Sequence, residues 1–261
     1  SALLMPHGGP RVRQLISRHL EDFGLRFIDP ADSDAGSRWP EASDAVEACM
    51  LDALSLTESP RGVALLLDQP KRHRDETLTP KYARHSDPRR HLITPPLIVI
   101  TGRPNVGKST LLNRLADTEV AITADLEGTT RDAVAARLII DGMACDVVDL
   151  PGLRESDDPI ERRAITLSSR FLEESDLLIS LIDHERGVPE TLKKRPDLVV
   201  RNKSDLGGVP PHSTADLEIS AATGDGIERL AVLIRSSLVP DELLENEAPW
   251  SFHEELESGR D

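Results

Sequence analysis

Four residues near the middle of this 261-residue chain have the types and spacing of a phosphate-binding loop. They fit the pattern G-x-x-x-x-G-K-[ST] and are Gly102, Gly107, Lys108 and Ser109. Glycines let backbone N–H groups approach phosphate oxygens, a lysine adds positive charge, and a serine hydroxyl can bind Mg²⁺. The apolar run PLIVIT precedes the loop and STLLNRLA follows it, which is the expected strand and helix context. We therefore expect nucleotide phosphates to contact Asn105, Val106, Gly107, Lys108, Ser109 and Thr110.

A second motif can select the base of that nucleotide. Asn202, Lys203 and Asp205 lie in N-K-S-D, directly after the apolar run DLVVR. An aspartate carboxylate accepts two hydrogen bonds from guanine, one from the ring N–H and one from the exocyclic amine, and adenine has no such pair. N-K-S-D alone could be a surface turn, but Ser220, Ala221 and Ala222 follow another predicted strand and complete the order of a guanine site. The sequence therefore predicts binding of GTP and GDP.

Two segments between these motifs are candidates for sensing the terminal phosphate. Asp149 ends the apolar run ACDVVD and is expected in the Mg²⁺ shell, and the Gly152 N–H is expected to meet the γ-phosphate. In the string GTTRD, Thr129 and Thr130 are candidates, and Thr130 is favoured as the residue that completes the Mg²⁺ coordination. The predicted Mg²⁺ ligands are therefore Ser109, Thr130 and Asp149.

The residue that orients the attacking water is not the usual one. Position 153 is Leu, where many Ras-like enzymes carry a glutamine for this purpose. Glu155 is the nearest group that could replace it, directly or through a second water. Alternatively, Glu155 simply begins the next helix, where acidic residues are favoured by the helix dipole. The residues alone leave both interpretations open; Lys108 and Gly152 are the other catalytic candidates, through contacts to the phosphates.

Composition excludes several classes of protein. With a net charge of −15 and 3% aromatic residues, the chain is a poor general binder of nucleic acid, and no DNA partner is expected. Cys49 and Cys145 show neither a disulfide framework nor zinc spacing, so we expect core thiols and a cytoplasmic location. The eight histidines also lack metal spacing and are expected at the surface or in a linker. No apolar run approaches the roughly 18 residues of a membrane span, so no membrane partner is expected.

Short apolar runs alternate with helical patterns and predict an α/β fold, a P-loop G domain whose mostly parallel six-stranded sheet is flanked by helices. The predicted strands are Leu97–Thr101, Ala133–Ile140, Cys145–Asp149, Leu177–Asp183, Leu198–Asn202 and Leu217–Ser220. Asp141 and Gly142 predict a tight hairpin between the second and third strands, which would be antiparallel. Helices are predicted over residues 108–116, 160–174 and 226–238.

Composition shifts predict four zones along the chain. Residues 1–70 are expected to be mainly helical, with an apolar stripe from Ala42 to Leu56 and a further helix that opens at Ser59-Pro60. Residues 71–95 carry seven basic and three acidic residues and are expected to be a polar linker, with a local RNA contact as the alternative. Residues 96–240 form the predicted GTP-binding domain, and residues 241–261 form an acidic tail that we expect to be loosely docked. Trp250 is expected to pack.

The strings GRPNVGKS, GTTRD, DLPG, NKSD and SAA together resemble the translation-factor-related GTPases. The longer strings AITADLEGTTRD and DLPGLRE resemble the tRNA-modification GTPase family of the MnmE/TrmE type, in which DTAGLRE is usual. The resemblance covers residues 97–238 well. Upstream, HGGP at 7–10 and the helical residues 41–67 resemble that family more weakly.

This resemblance implies a specific mechanism. Members dimerise through their G domains when K⁺ binds, and K⁺ acts where other GTPases use an arginine finger. By position, the resemblance makes Asn105 a K⁺ ligand, together with carbonyl groups around residues 122–128, and makes Glu155 the catalytic residue. It also implies tRNA modification as the linked process.

The departures from the family leave two functions to weigh. Most of the family's folate-binding domain and its C-terminal Cys-Ile-Gly-Lys motif have no counterpart in the sequence given. The first hypothesis is a Mg²⁺-dependent, K⁺-stimulated GTPase that forms a homodimer through its G domains. The alternative is a GTP-dependent assembly switch that binds RNA or the ribosome, with weak hydrolysis and no modification activity. The basic segment 71–90 and the missing modification motifs support it.

Overall fold

In a computed structural model of the protein, the described residues fall into two compact units. The described residues are 18, 20–22, 24, 33–75, 80, 82–118, 121–122, 134–150, 169–185, 187–189, 192, 194–207 and 214–258. The sheet unit comprises Leu56–Leu66 and His85–Glu247, and the helical unit comprises Ser1–Ser55, Leu67–Arg84 and Ala248–Asp261. The domain boundaries expected at residues 70, 95 and 240 stay a prediction.

The sheet unit contains a seven-stranded, mostly parallel sheet in the order β2-β3-β4-β1-β5-β6-β7. Its strands are β1 (Leu97–Gly102), β2 (Ala121–Ile122), β3 (Val134–Ile140), β4 (Met143–Asp149), β5 (Leu177–Ile182), β6 (Leu198–Arg201) and β7 (Leu217–Glu218). Strand β3 is antiparallel to both of its neighbours, and the other pairs are parallel. The predicted α/β fold is confirmed, and the two-residue edge strand β2 is added to the six strands expected.

The central strands are apolar on both faces because the sheet is covered on both sides, as parallel sheets require. Ile98, Val99 and Ile100 of β1 are at most 1% exposed, and every residue of β5 is buried. The predicted hairpin between β3 and β4 is confirmed. Asp141 and Gly142 both have positive φ, +44° and +75°, as the expected tight turn requires.

Helices flank this sheet and bury their apolar faces. The helices of the unit are α4 (Lys108–Thr118), α5 (169–174), α6 (Ile227–Leu238) and α7 (Asp241–Leu244). Leu111 and Leu115 of α4 and Leu230 and Ile234 of α6 are buried at 0 to 1% exposure. The described part of the helix predicted over 160–174 is α5.

Part of the segment expected to be a solvated linker is buried in the sheet unit. Pro88–Leu92 forms a 3-10 helix, in which Leu92 is 0% and Arg89 is 1% exposed. Arg89 can be buried because its guanidinium lies 2.8 Å from the Asp87 carboxylate, which removes the cost of an unpaired charge. The expectation of solvent exposure is therefore wrong for Arg89, whereas Lys71, Arg74, Arg84 and Arg90 are exposed.

The helical unit is built from the described helices α1 (Ala35–Arg38), α2 (Ala45–Leu56), α3 (Pro60–His73) and α8 (Glu255–Ser258), whose residues fall wholly or partly within it. The helix start predicted at Pro60 is confirmed, since proline at the first position loses no intrahelical hydrogen bond. Among the described residues, no helix is both long enough and apolar enough to cross a bilayer.

The acidic tail differs from the loosely docked segment that we expected. Trp250 is 1% and Phe252 is 3% exposed, and the Trp250 backbone N–H donates to Gln69 Oε1 at 2.7 Å. The expectation that Trp250 packs is confirmed. His253 is 8% exposed and lies outside the predicted linker, so the expectation that every histidine lies at the surface or in a linker is wrong for this residue.

Candidate functional site

The phosphate loop joins the end of β1 to the start of α4. A side chain at Gly102 would overlap the Leu181 carbonyl oxygen, and one at Gly107, whose φ is +96°, would overlap the Asn202 amide. Both positions therefore require glycine for space. Lys108 Nζ donates to the Gly102 carbonyl at 3.3 Å, so the lysine reaches back across the loop to its first residue. This contact holds the positive charge of Lys108 beside the phosphate loop.

The expected metal-binding end of the site lies where β4 ends beside β1. Asp149 pairs in register with Ile100, and the Ser109 hydroxyl donates to Asp149 Oδ2 at 3.0 Å. Asp149 is 9% exposed, and its Oδ1 is buried without a hydrogen-bond partner among the described residues. Burial raises the pKa of Asp149, and the Ser109 hydrogen bond and the Lys108 charge oppose that rise.

These groups fit a Mg²⁺ ion, which prefers hard oxygen ligands. The buried, unpaired Oδ1 of Asp149 lacks the interaction that a buried carboxylate oxygen normally has. A serine hydroxyl lies next to it, and the phosphate loop lies directly alongside. The chain therefore supplies two of the three ligands that the sequence predicts for Mg²⁺, within hydrogen-bond distance of each other.

Four of the predicted site residues lie outside the described residues. They are Thr129, Thr130, Gly152 and Glu155. The carbonyl groups expected around residues 122–128 also lie outside them, apart from residue 122 at the end of β2. Their roles stay as predicted from the sequence.

The base-binding end is assembled around the Asn202 side chain. Its Nδ2 donates to the Val106 carbonyl at 2.9 Å, and its Oδ1 accepts from the Ala221 backbone N–H at 2.9 Å. Asn202 is 3% exposed, so both ends of its amide are buried and both are satisfied. One side chain thus ties the phosphate loop to the Ser220–Ala222 loop, two segments about 110 residues apart in sequence.

Lys203 forms a second link to the phosphate loop. Its Nζ donates to the Asn105 carbonyl at 2.7 Å and lies 3.3 Å from Asp183 Oδ2. Lys203 and Asn105 both have left-handed backbone conformations, with φ of +67° and +66°. Asparagine is among the non-glycine residues that tolerate this conformation best, which gives a second reason for Asn at position 105.

Asp205 is oriented by the loop that follows β7. The Ser220 hydroxyl donates to Asp205 Oδ1 at 2.6 Å and itself accepts from the Thr223 N–H at 3.2 Å. Asp205 is exposed, and each of its carboxylate oxygens can accept more than one hydrogen bond. The carboxylate is therefore fixed in direction and still able to accept from a guanine base.

Most of the predicted site residues that the structure describes lie at the carboxyl ends of the sheet strands. Those tied by the hydrogen bonds above are Asn105, Val106, Lys108, Ser109, Asp149, Asn202, Lys203, Asp205, Ser220 and Ala221. Thr110 is exposed in the first turn of α4, and Gly107 packs against Asn202. The predicted residues thus share one site because parallel strands end at the same edge.

Sequence reasoning missed two residues that support this site. Asp183 follows β5 and contacts Lys203, as described above. Arg114 of α4 donates to the Ala221 carbonyl at 3.1 Å and to the Ala222 carbonyl at 2.7 Å. The position of Asp183 directly after an apolar strand was a signal that could have identified it. Arg114 has no comparable signal, because it lies on a helix among other polar residues.

Comparisons with known proteins agree with the site. Residues 97–205 match the sequence model of the family described as "50S ribosome-binding GTPase". The tRNA modification GTPase MnmE of Thiobacillus denitrificans is 43% identical over 141 residues, which are 51% of this chain and 32% of that protein. The enzyme of the same name from Nitrosomonas europaea is 41% identical over 154 residues, or 54% of this chain and 34% of that protein.

A solved structure of Era from Aquifex aeolicus, bound to GDP and aluminium fluoride, is 30% identical. The match covers 54% of this chain and 56% of that one, with a TM-score of 0.41. The chain spans about a third of the length of the two curated relatives described above. Residues 97–205 are therefore similar to a family of GTPases, and over the aligned residues the chain is similar to the tRNA modification GTPases.

Proposed function

We propose that this protein hydrolyses GTP to GDP and phosphate with Mg²⁺, that K⁺ stimulates the reaction through G-domain dimerisation, and that the cycle is linked to tRNA modification. The observation that carries the hydrolysis is the buried Oδ1 of Asp149, which is unpaired and lies next to the Ser109 hydroxyl at the phosphate loop. A polar atom in that position gains a partner when a metal-bound triphosphate enters.

The chain's own residues supply binding and charge stabilisation. Lys108 and the loop N–H groups would hold the outer phosphates, where charge develops as the terminal phosphoryl group leaves. Ser109, Thr130 and Asp149 would hold Mg²⁺, which neutralises charge on the phosphate oxygens when bound. Gly152 would donate its N–H to the γ-phosphate, and Glu155 would take up the role of orienting water that Leu153 cannot perform.

Base selection would rest on Asp205, with Asn202 and Lys203 holding the surrounding loops. The Ser220 hydrogen bond orients the Asp205 carboxylate before the base arrives. Such preorganisation favours guanine, because a base without the matching pair of donors leaves the carboxylate unsatisfied. Ala221 and Ala222 would line the opposite side of the base.

Two explanations compete for Asn105. The resemblance of the sequence motifs to the tRNA-modification GTPase family implies a side-chain contact to K⁺. The left-handed backbone at this position, with φ of +66°, supports a conformational role instead, because Asn tolerates it better than most residues. Replacement by glycine separates the two, since glycine keeps the backbone freedom and removes the amide.

The proposed link to tRNA modification rests on the names of the similar proteins, which are tRNA modification GTPases.

The alternative function, a GTP-dependent switch on RNA or the ribosome, is supported by the name of the matching family. The basic segment 71–90, which supports this alternative in the sequence, offers less free positive charge in the structure than its composition suggests. Three arginines of the basic segment form ion pairs within the chain, Arg72 with Asp68, Arg74 with Asp44, and Arg89 with Asp87. Paired arginines have less charge to offer to phosphates.

Turnover of GTP by the purified chain tests the proposal directly. We expect Mg²⁺-dependent phosphate release that is faster in KCl than in NaCl at the same ionic strength. Ser109→Ala should lower kcat by roughly 100-fold or more, because the hydroxyl contacts the metal. Ser237→Ala is the matched control, since this exposed serine only donates to the Leu233 carbonyl. Equal rates for both variants would contradict the proposed site.

The Asn105→Gly variant then tests the K⁺ role. If the Asn105 amide binds K⁺, the variant should bind GDP normally and turn over GTP at the same rate in both salts. Retention of the K⁺ stimulation would show that Asn105 serves the backbone alone. Sedimentation with GDP and aluminium fluoride in the two salts measures dimer formation independently of turnover.

A further inference from the structure

Cys49, His253 and Glu255 lie together in the helical unit, whereas the described residues of the GTP site belong to the sheet unit. One ligand-type atom from each of the three lies within 4.8 Å of the other two. Thiol sulfur, imidazole nitrogen and carboxylate oxygen are the three donor types that Zn²⁺ takes in proteins. We propose that these residues form a Zn²⁺ site with a fourth position for water.

The fold brings the three residues together from distant parts of the chain. Cys49 lies in the middle of α2 and is 1% exposed. His253 lies just before α8, and Glu255 is the first residue of that helix. His253 is 8% exposed and Glu255 is half-buried, so the cluster lies just below the surface, within reach of an ion from solvent.

Asp52 completes the arrangement that metal-binding histidines usually have. It lies three residues after Cys49 on α2, and its Oδ2 is 3.1 Å from His253 Nε2. A carboxylate at one ring nitrogen fixes the tautomer and leaves the other nitrogen as the metal ligand. Asp52 is itself held by Arg38, whose Nε and Nη2 donate to its two oxygens at 2.7 and 2.8 Å.

Glu255 is also held in place, and His253 has a second contact. Glu255 Oε1 accepts from the Ala35 backbone N–H at 2.8 Å, which orients the carboxylate and leaves Oε2 to meet a metal. His253 Nδ1 accepts from the Glu255 N–H at 3.3 Å, a long hydrogen bond that a metal bond would replace. Two of the three ligands therefore have their geometry fixed by neighbours before any ion binds.

The donor set favours zinc over the other common divalent ions. Mg²⁺ and Ca²⁺ take oxygen ligands, and a thiolate with an imidazole is a poor match for either. At zinc bond lengths, ligand atoms of a tetrahedral site are about 3.3 to 3.6 Å apart. Starting from a separation of at most 4.8 Å, the three side chains need only a small inward movement.

The Cys49 thiol must lose its proton to bind the ion. Burial raises the pKa of this thiol to about 11, with the charges of Glu255 and Asp52 adding to the effect. The thiol is therefore protonated at neutral pH, and zinc binding would release one proton to solvent. Proton release per metal bound is an additional readout for the experiment.

Titration of the full chain with Co²⁺, followed by displacement with Zn²⁺, tests the proposal. We expect one equivalent of Co²⁺ to give a thiolate-to-metal charge-transfer band that Zn²⁺ abolishes. Cys49→Ser should remove the band. Cys145→Ser is the matched control, because Cys145 is also a buried, reduced cysteine but lies in β4 of the sheet unit. Absence of the band in the unmodified chain, or its loss in Cys145→Ser alone, overturns the assignment.

Milder variants keep the test valid if Cys49→Ser fails to fold. His253→Gln and Glu255→Gln should each weaken Zn²⁺ binding at least tenfold while circular dichroism of the chain stays unchanged. Asp52→Asn should weaken it by about tenfold, as expected for a group that orients a ligand. Zinc affinity unchanged in both ligand variants would place the ion elsewhere and overturn the proposal.

Discussion

The two ends of strand β4 carry aspartates with opposite surroundings. Asp141, in the turn before β4, accepts from Arg61 and from Arg235, and both of its carboxylate oxygens are paired. Asp149, the last residue of β4, has one oxygen paired with Ser109 and one buried without a partner among the described residues. Both carboxylates are well shielded from water, since the Asp141 side chain is 18% exposed and Asp149 is 9% exposed.

The pKa values of the two aspartates shift in opposite directions. Burial alone raises the pKa of either group; at Asp141 hydrogen bonds from Arg235 and Arg61 outweigh it and lower the pKa, whereas at Asp149 burial prevails. A buried carboxylate whose two oxygens are both paired stabilises the fold. One with an unpaired oxygen lowers the stability of the fold somewhat, but that oxygen can still bind a metal ion or ligand. Four predictions test this distinction.

Asp149→Asn has the largest expected effect, and it falls on activity. Removing the charge should lower kcat for GTP by roughly 100-fold or more, because the carboxylate holds the metal that neutralises phosphate charge. Without nucleotide and Mg²⁺, the free energy of unfolding should change by less than about 1 kcal/mol, since Asp149 forms no ion pair with a cation among the described residues. Phosphate-release assays and urea unfolding measure the two quantities. A large loss of stability in Asp149→Asn would show that Asp149, like Asp141, mainly stabilises the fold.

Asp141→Asn should produce the reverse pattern. Arg235 is 4% exposed, so losing its main partner should cost about 2 to 3 kcal/mol of unfolding free energy. The kcat per folded molecule should stay within about twofold, as the turn lies at the opposite end of β4 from the site. Asp241→Asn is the matched control, because Asp241 also pairs with Arg235, at 2.6 Å, but is 57% exposed. That variant should cost less than about 1 kcal/mol.

Asp183→Asn tests a carboxylate that lies at the edge of the site, like Asp149, but pairs with a cation, like Asp141. It is 5% exposed and lies 3.3 Å from Lys203, which in turn holds the Asn105 carbonyl. Losing this charge should weaken GDP binding by about three- to tenfold through Lys203, with little effect on kcat. Asp197→Asn provides the control, since Asp197 precedes β6 and accepts only from the Leu178 N–H. Equal GDP affinities for the two variants would remove Asp183 from the site.

The sequence identified both aspartates at the ends of β4, but it did not identify the buried arginine that pairs with one of them. Asp149 was identified because a motif of fixed spacing follows an apolar strand, and Asp141-Gly142 was identified as a turn because few residue pairs adopt its backbone. The Arg235 partner of Asp141 was not predictable. It lies 94 residues away on α6, and no local pattern reports such a contact.

Contacts between residues distant in sequence also explain the wrong expectations for the basic segment and for His253. The basic segment was expected to be solvated, but Arg89 is buried by its pairing with Asp87, which charge counting cannot distinguish from exposure. The histidines were expected at the surface or in a linker because they lack metal spacing in sequence. His253 instead meets Cys49 only after α2 and α8 are folded, about 200 residues apart in the chain. Local periodicity and motifs determine elements and strand ends, whereas buried polar pairs depend on the packed fold.

The smallest predicted effect is the pH dependence that the Asp141 pairing imposes on stability. Because its pKa is lowered in the folded state, Asp141 stabilises the fold above the unfolded aspartate value of about 3.9, and that stabilisation is lost as the pH falls through the folded value. The stability gap between the unmodified chain and Asp141→Asn should therefore be constant from about pH 7 to 5 and shrink below about pH 4. Urea unfolding across this range measures it, with Asp241→Asn as the baseline for an exposed partner of Arg235. A gap that persists in acid would mean that Asp141 acts through the shape of the turn and not through its charge, and the contrast between the two ends of β4 would then be one of packing.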